Sequence, residues 1–153
     1  MKALTVAFFG HRDIAHYREA ENALYDLVEK MIREEEYVEF LVGRNGDFDQ
    51  MAASMIIRAK KKLEIPNNSL VLVLPYMTAE YRNNRESFLR YYDEVEICPE
   101  ASRTHFKQAI TARNQYMVKR ADIVVCYVER ETGGAFAAMH LAVKEGKRVI
   151  NLA

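Results

Sequence analysis

Three glycine-bearing segments of this 153-residue chain each stand where an apolar run gives way to a helical pattern. GHRD, Gly10 to Asp13, follows the run Leu4–Phe9. GRNGDFDQ, Gly43 to Gln50, follows Tyr37–Val42. ETGGAF, Glu131 to Phe136, follows Ile123–Val128. The run Leu4–Phe9 reads as a strand buried on both faces, and strands alternating with helices mark a parallel sheet covered by helices. In such sheets the loops after the strands gather along one edge and form the ligand crevice. Gly, Arg and Asp concentrated in those loops point to a small anionic ligand.

The rest of the chain fits that frame. The segment Tyr17–Glu36 places Ala20, Ala23, Leu24, Leu27, Val28, Met31 and Ile32 at helical spacing. Phe48–Leu63 does the same with Met51, Ala52, Met55, Ile56, Ala59 and Leu63, and closes on Lys60-Lys61-Lys62, charges that suit a helix C-terminus. Pro66-Asn67-Asn68 breaks the chain before a strand at Leu70–Leu74. A helix is expected over Glu80–Asp93, a short edge strand at Glu94–Ile97, and a helix over His105–Arg120. Gly134–Glu145 reads as the last helix, stopped by Gly146, and Arg148–Leu152 as the last strand. No linker or repeat interrupts the alternation. The expectation is one Rossmann-like three-layer α/β/α domain over residues 1–153, with a mainly parallel sheet joined by right-handed crossovers. The first strand should be central, with the second and third to one side and the Ile123 and Arg148 strands to the other. GHRD and ETGG then face each other at the switch point.

Lys and Arg together number 22, as do Asp and Glu, so the formal net charge is zero. That balance argues against nucleic acid and against an anionic membrane as partners, since both favour basic surfaces. No apolar stretch approaches the roughly 20 residues of a membrane helix, and the opening residues lack a signal-peptide pattern. Cys98 and Cys126 form no metal-ligand spacing, so neither a zinc site nor a disulfide framework is expected. The expectation is a cytoplasmic protein with reduced thiols and with no metal or cofactor.

The loops suggest particular chemistry. Gly133-Gly134, with Thr132 before it, opens a helix whose N–H groups can meet a phosphate. Gly10 permits a turn, and His11 and Arg12 offer donors at the crevice, unless Arg12 pairs with Asp13. Gly46 precedes Asp47 and Asp49, either of which can cap the second helix or accept from a ribose hydroxyl. Arg113 lies one turn before Met117, on a helix whose buried side is marked by Ile110, Met117 and Val118. It borders the core, where a charge needs a partner. Asn114 follows it.

Taken together, FFGHRD at Phe8–Asp13, GDFDQMAA at Gly46–Ala53, ARNQYM at Ala112–Met117 and TGGAF at Thr132–Phe136 resemble the SLOG superfamily of Rossmann-like proteins. That superfamily includes the cytokinin-activating LOG enzymes, the DNA-processing DprA family and small bacterial proteins of unknown role. GHR followed by GDFDQMAA is most similar to the small bacterial members. The resemblance implies a nucleotide or nucleotide derivative at the glycine loops, with Arg113 and Asn114 at its phosphate end. It also brings out departures. LOG phosphoribohydrolases carry PGGxGTxxE, in which the Thr binds phosphate and the Glu is catalytic. Aligned on the double glycine, this chain has Ala137 at the Thr and His140 at the Glu. Arg113 does match the arginine of the ERKxxM motif, with Met117 at its Met.

The leading expectation is therefore binding of a nucleotide-like ligand in a sensor or regulatory role. The ligand-contacting residues are expected to be Gly10, His11, Arg12, Gly46, Asp47, Asp49, Arg113, Asn114, Thr132, Gly133 and Gly134. One alternative is an N-glycosidic hydrolase using Asp13, Asp47, Asp49 or Glu131 as its carboxylate. Another is an interaction module with a vestigial pocket. Tyr81, Phe88, Tyr91 and Tyr92, among Arg82 and Arg85, divide between core and a homo-oligomer contact.

Overall fold

The computed structural model describes residues 2–102 and 105–153. Six strands form one sheet: β1 (Ala3–Gly10), β2 (Tyr37–Val42), β3 (Asn68–Leu74), β4 (Glu94–Ile97), β5 (Ile123–Tyr127) and β6 (Arg148–Asn151). Their order is β4-β3-β2-β1-β5-β6, and every neighbouring pair is parallel. Among the described residues the helices are α1 (Tyr17–Glu34), α2 (Asp47–Leu63), α3 (Ala79–Asn83), α4 (Arg85–Tyr91), α5 (Pro99–Ser102), α6 (Phe106–Arg120) and α7 (Gly134–Lys144). This is a Rossmann-like α/β fold with β1 in the middle and β4 at an edge, as the alternation of apolar runs implies.

Alternate residues of the strands feed two cores, because successive side chains point to opposite faces. Val6, Phe8, Phe40, Leu72 and Val125 pack beneath α1, α2 and the α3–α4 pair. Ala7, Phe9, Leu41, Val73 and Val124 pack beneath α6 and α7. In α1 the buried stripe is Ala20, Leu24, Val28, Met31 and Ile32, whereas Ala23 faces solvent. Gly146 adopts φ 73°, the left-handed stop expected of it, and the Lys147 N–H reaches back to the Ala142 carbonyl at 2.9 Å.

Two local expectations change. The helix read over Glu80–Asp93 is two helices, broken at Asn84. The Asn84 side chain donates to the Glu80 carbonyl at 2.8 Å, a local bond that competes with helix continuation. A four-residue helix, α5, starts at Pro99, a residue pre-set for a first helical position. The aromatic cluster resolves largely in favour of the core: Tyr81, Phe88 and Tyr92 are buried, and only Tyr91 is substantially exposed. Cys98 and Cys126 are both buried and unpaired, and among the described residues no helix is long and apolar enough to cross a membrane.

Candidate functional site

At the carboxyl edge of the sheet, β1 and β5 lie side by side in a register that pairs Gly10 with Tyr127. The loops that follow them therefore face each other, and the β2–α2 loop stands beside them. Between them is a cavity of about 430 Å³, within the range usual for small-molecule sites. Of the residues singled out from sequence, Gly10, His11, Arg12, Asp49, Arg113, Asn114, Thr132, Gly133 and Gly134 line it, as does the candidate carboxylate Asp13. Gly46, Asp47 and Glu131 do not. Gly43, Asn45 and Arg130 line it without having been singled out.

The floor is Arg113. Only 2% of its surface is exposed, although it projects from α6 toward the sheet. Nε donates to Asn114 Oδ1 at 2.9 Å and Nη1 to the Val73 carbonyl at 2.8 Å. Among the described residues Nη2 has no hydrogen-bond partner, yet no fully buried polar atom is left unsatisfied. Arg113 itself lines the cavity. Burial works against the Arg113 charge and Asp49 beside it works in its favour; a guanidinium stays protonated in either case.

Asp49 sits in the first turn of α2 and reaches back, its Oδ2 accepting the Asn45 N–H at 2.8 Å. This fills a cap role at a helix whose N-cap, Gly46, has no side chain to do so. Burial pushes the Asp49 carboxyl upward, against the pull of that N–H and of Arg113. Gly43 separates the two groups. A Cβ there would stand 3.0 Å from Asp49 Oδ2 and 3.1 Å from Arg113 Nη1, so glycine is what lets both side chains turn into the same space.

His11 holds two walls together. It is 5% exposed, and its Nε2 accepts the Glu129 N–H at 2.8 Å while its own N–H donates to the Tyr127 carbonyl at 3.3 Å. Accepting at Nε2 assigns the proton of the neutral ring to Nδ1. Burial, then the Arg130 charge, hold the imidazole below its ordinary 6.5, with Glu129 opposing. A second tie runs from the Asp47 N–H to the Arg12 carbonyl at 3.0 Å. Gly46 stands so close that a Cβ would come within 2.7 Å of the Arg12 Cα. Gly46 and Asp47 thus join the β1–α1 loop to the β2–α2 loop from outside the cavity.

The opposite wall is open. Gly133 has φ 92° and caps α7. Nothing stands within 4 Å of a Cβ built there, and at Gly134 the nearest atom is Asn114 Nδ2 at 3.7 Å. The first N–H groups of α7 accordingly border empty space beside Arg113 and Asn114. Arg12 and Arg130 are both exposed at the cavity mouth, and among the described residues neither joins a salt bridge, so the Arg12–Asp13 pair weighed from sequence does not form. Phe9, Ile110 and Met117 add apolar lining. Ile110, expected in the core, is 37% exposed, because this part of α6 overhangs the cavity. His140, aligned with the LOG glutamate, stacks on Phe136 outside the cavity.

No protein-family model matches the chain, and no curated protein matches it in sequence. Solved structures do. DNA processing protein A from Helicobacter pylori, described with its single-stranded DNA binding mode, superposes with TM-score 0.67 at 16% identity, over 95% of this chain and 63% of that one. DprA from Streptococcus pneumoniae gives TM-score 0.66 at 14% identity, over 95% of this chain and 49% of that one. The structural-genomics target TM1055 gives TM-score 0.61 at 12% identity, over 95% and 72%. The three structures share the fold of this chain. This chain spans less than two thirds of either DprA chain. The likeness to a single-stranded DNA-binding protein overturns the expectation that nucleic acid is no partner. The physical error lies in averaging charge over the whole chain. Zero net charge coexists with three arginines, Arg12, Arg113 and Arg130, around one cavity.

Proposed function

We propose that the protein binds a nucleotide or nucleotide-derived phosphate ligand in this cavity, in a sensor or regulatory role. The observation that carries the reading is the buried Arg113, which lines the same cavity as the Gly133-Gly134 end of α7. A buried cation that Asp49 only partly offsets can draw a further anion, and a helix N-terminus lining the same cavity favours the same charge. Asn114 adds an amide, and Phe9, Ile110 and Met117 give a base apolar surface. The hydrolase alternative has less behind it. His140 lies outside the cavity, and the Asp49 carboxylate is already committed through one oxygen to Asn45.

The test is a thermal-shift screen of nucleoside mono-, di- and triphosphates and cyclic nucleotides, with a single-stranded oligonucleotide as a separate arm. A ligand at 100 times its dissociation constant adds about 2.7 kcal/mol of stability. Absence of stabilisation by every nucleotide, with stabilisation by the oligonucleotide, would transfer the site to nucleic acid.

A further inference from the structure

The mouth of the cavity carries charge that its floor does not need. Arg113 has Asp49 across Gly43 and can hold one phosphate with the amides of α7. Arg12 and Arg130 stand apart from that arrangement. The 2.8 Å bond between His11 Nε2 and the Glu129 N–H fixes the neighbouring residues of two loops. Arg12 and Arg130 are the next residues along each loop, so this bond brings two guanidinium side chains to one rim. Both line the cavity, both are exposed, and among the described residues neither is in an ion pair. Glu129 and Glu131, which flank Arg130 in sequence, do not line the cavity, and Glu129 is occupied by the Tyr127 hydroxyl at 2.8 Å. Asp13 is the one carboxylate among the described mouth residues that line it. With two cations and one carboxylate at the mouth, the excess positive charge favours an anion there.

We infer that the site takes a nucleotide carrying a diphosphate or longer chain, one phosphate on the floor at Arg113 and the next between Arg12 and Arg130 at the mouth. This rests on the nucleotide reading above and adds the number of phosphates. Planar guanidinium forks from two directions suit a second phosphate, whose oxygens accept paired donors.

The experiment is calorimetric titration of the full chain with AMP, ADP and ATP and with the matching guanine, cytosine and uracil series. For the base that binds best, the diphosphate is expected to bind at least tenfold tighter than the monophosphate at low salt, with the ratio shrinking as salt rises. An Arg12→Gln, Arg130→Gln double variant should bring that ratio to within twofold of one. Both positions are exposed, so the variant keeps the fold, and its melting temperature checks this. Equal affinity for mono- and diphosphate, or a ratio that survives in the double variant, overturns the inference while leaving nucleotide binding intact. If no nucleotide binds, both readings fall. An oligonucleotide without terminal phosphates that displaces ADP and needs both arginines would also overturn it.

Discussion

The glycines before α1 and α2 and those before α7 belong to loops of the same kind, yet they are used in opposite ways. A Cβ at Gly10 would overlap the Phe48 side chain, one at Gly43 would press on Asp49 and Arg113, and one at Gly46 would meet the Arg12 backbone. At Gly133 it would meet nothing, and at Gly134 only Asn114 at ordinary contact distance. The first group lets protein approach protein. The second leaves space at the end of a helix for something that is not protein. One side of the cavity is therefore a close-packed scaffold that fixes Arg113 and Asp49, and the other is where a ligand has room.

The most direct way to break this contrast is Gly10→Ala. Phe48 is fully buried, and a packed interior cannot move it cheaply. Overpacking of this kind is expected to destabilise by about 3 kcal/mol, read as a lower midpoint in urea. A loss under about 1 kcal/mol would mean that α2 shifts freely, and the scaffold reading would go.

Gly133→Ala comes next. Its conformation, φ 92° and ψ 174°, is one that only glycine adopts readily, and an alanine held there is strained by about 2 kcal/mol although the space is open. Denaturant unfolding should show that loss. Because the strain lies between the new Cβ and its own backbone and not in a clash with neighbours, the unbranched Gly133→Ser should cost about as much as Gly133→Ala. At Gly10, by contrast, a larger side chain should be much worse than alanine.

A third effect concerns the bond between the two sides. His11 accepts the Glu129 N–H only when neutral, and its folded-state value lies below the ordinary one. The unfolded state therefore binds the proton more readily. The stability this contributes is present above about pH 6.5 and is lost as pH falls through the lower folded value. Between pH 7 and pH 5 the wild type should lose about 1 kcal/mol more than His11→Gln, whose side-chain carbonyl can accept the same N–H and does not titrate. Equal pH dependence would show that His11 does not join the walls.

Sequence made the frame legible because the strands are apolar on both faces and the helices carry clear stripes. Strand order followed from the alternation of strands and helices, and it placed the glycine loops at one edge. Arg113 was visible from its spacing to Met117, since a charge on the edge of a buried stripe must be used. Gly46 and Asp47 look like ligand residues in sequence, but a glycine that admits a ligand and one that admits another loop leave the same trace. Arg130 was hidden for a different reason. It sits between Glu129 and Glu131 and reads as a solvated charge run, and only the pairing of β1 with β5 brings its loop to the same cavity as Arg12. Its place two residues after the apolar run, at the switch point, was the signal that could have found it. The break at Asn84 was written in the Asn83-Asn84 pair, which aromatic spacing on either side obscured.

The smallest effect on stability is the one that bears most on function. Gly134 is the first residue of α7, exposed and without the left-handed φ that Gly133 requires. Alanine is a better helix former than glycine by up to about 1 kcal/mol, and its Cβ would stand 3.7 Å from Asn114 Nδ2, an ordinary contact. Gly134→Ala should therefore unfold within about 0.5 kcal/mol of the wild type, or slightly later. The same methyl would occupy the space over Asn114, where the proposed phosphate on the α7 amides would sit. Nucleotide affinity should fall about tenfold in this variant and further in Gly134→Val, as donors aimed at an anion lose their approach. Stability and affinity then move independently at this position, whereas at Gly10 they fall together. If titration of Gly134→Val gives the wild-type dissociation constant, the open side of the cavity is not the ligand wall. The contrast between the two sets of glycines would then describe packing alone.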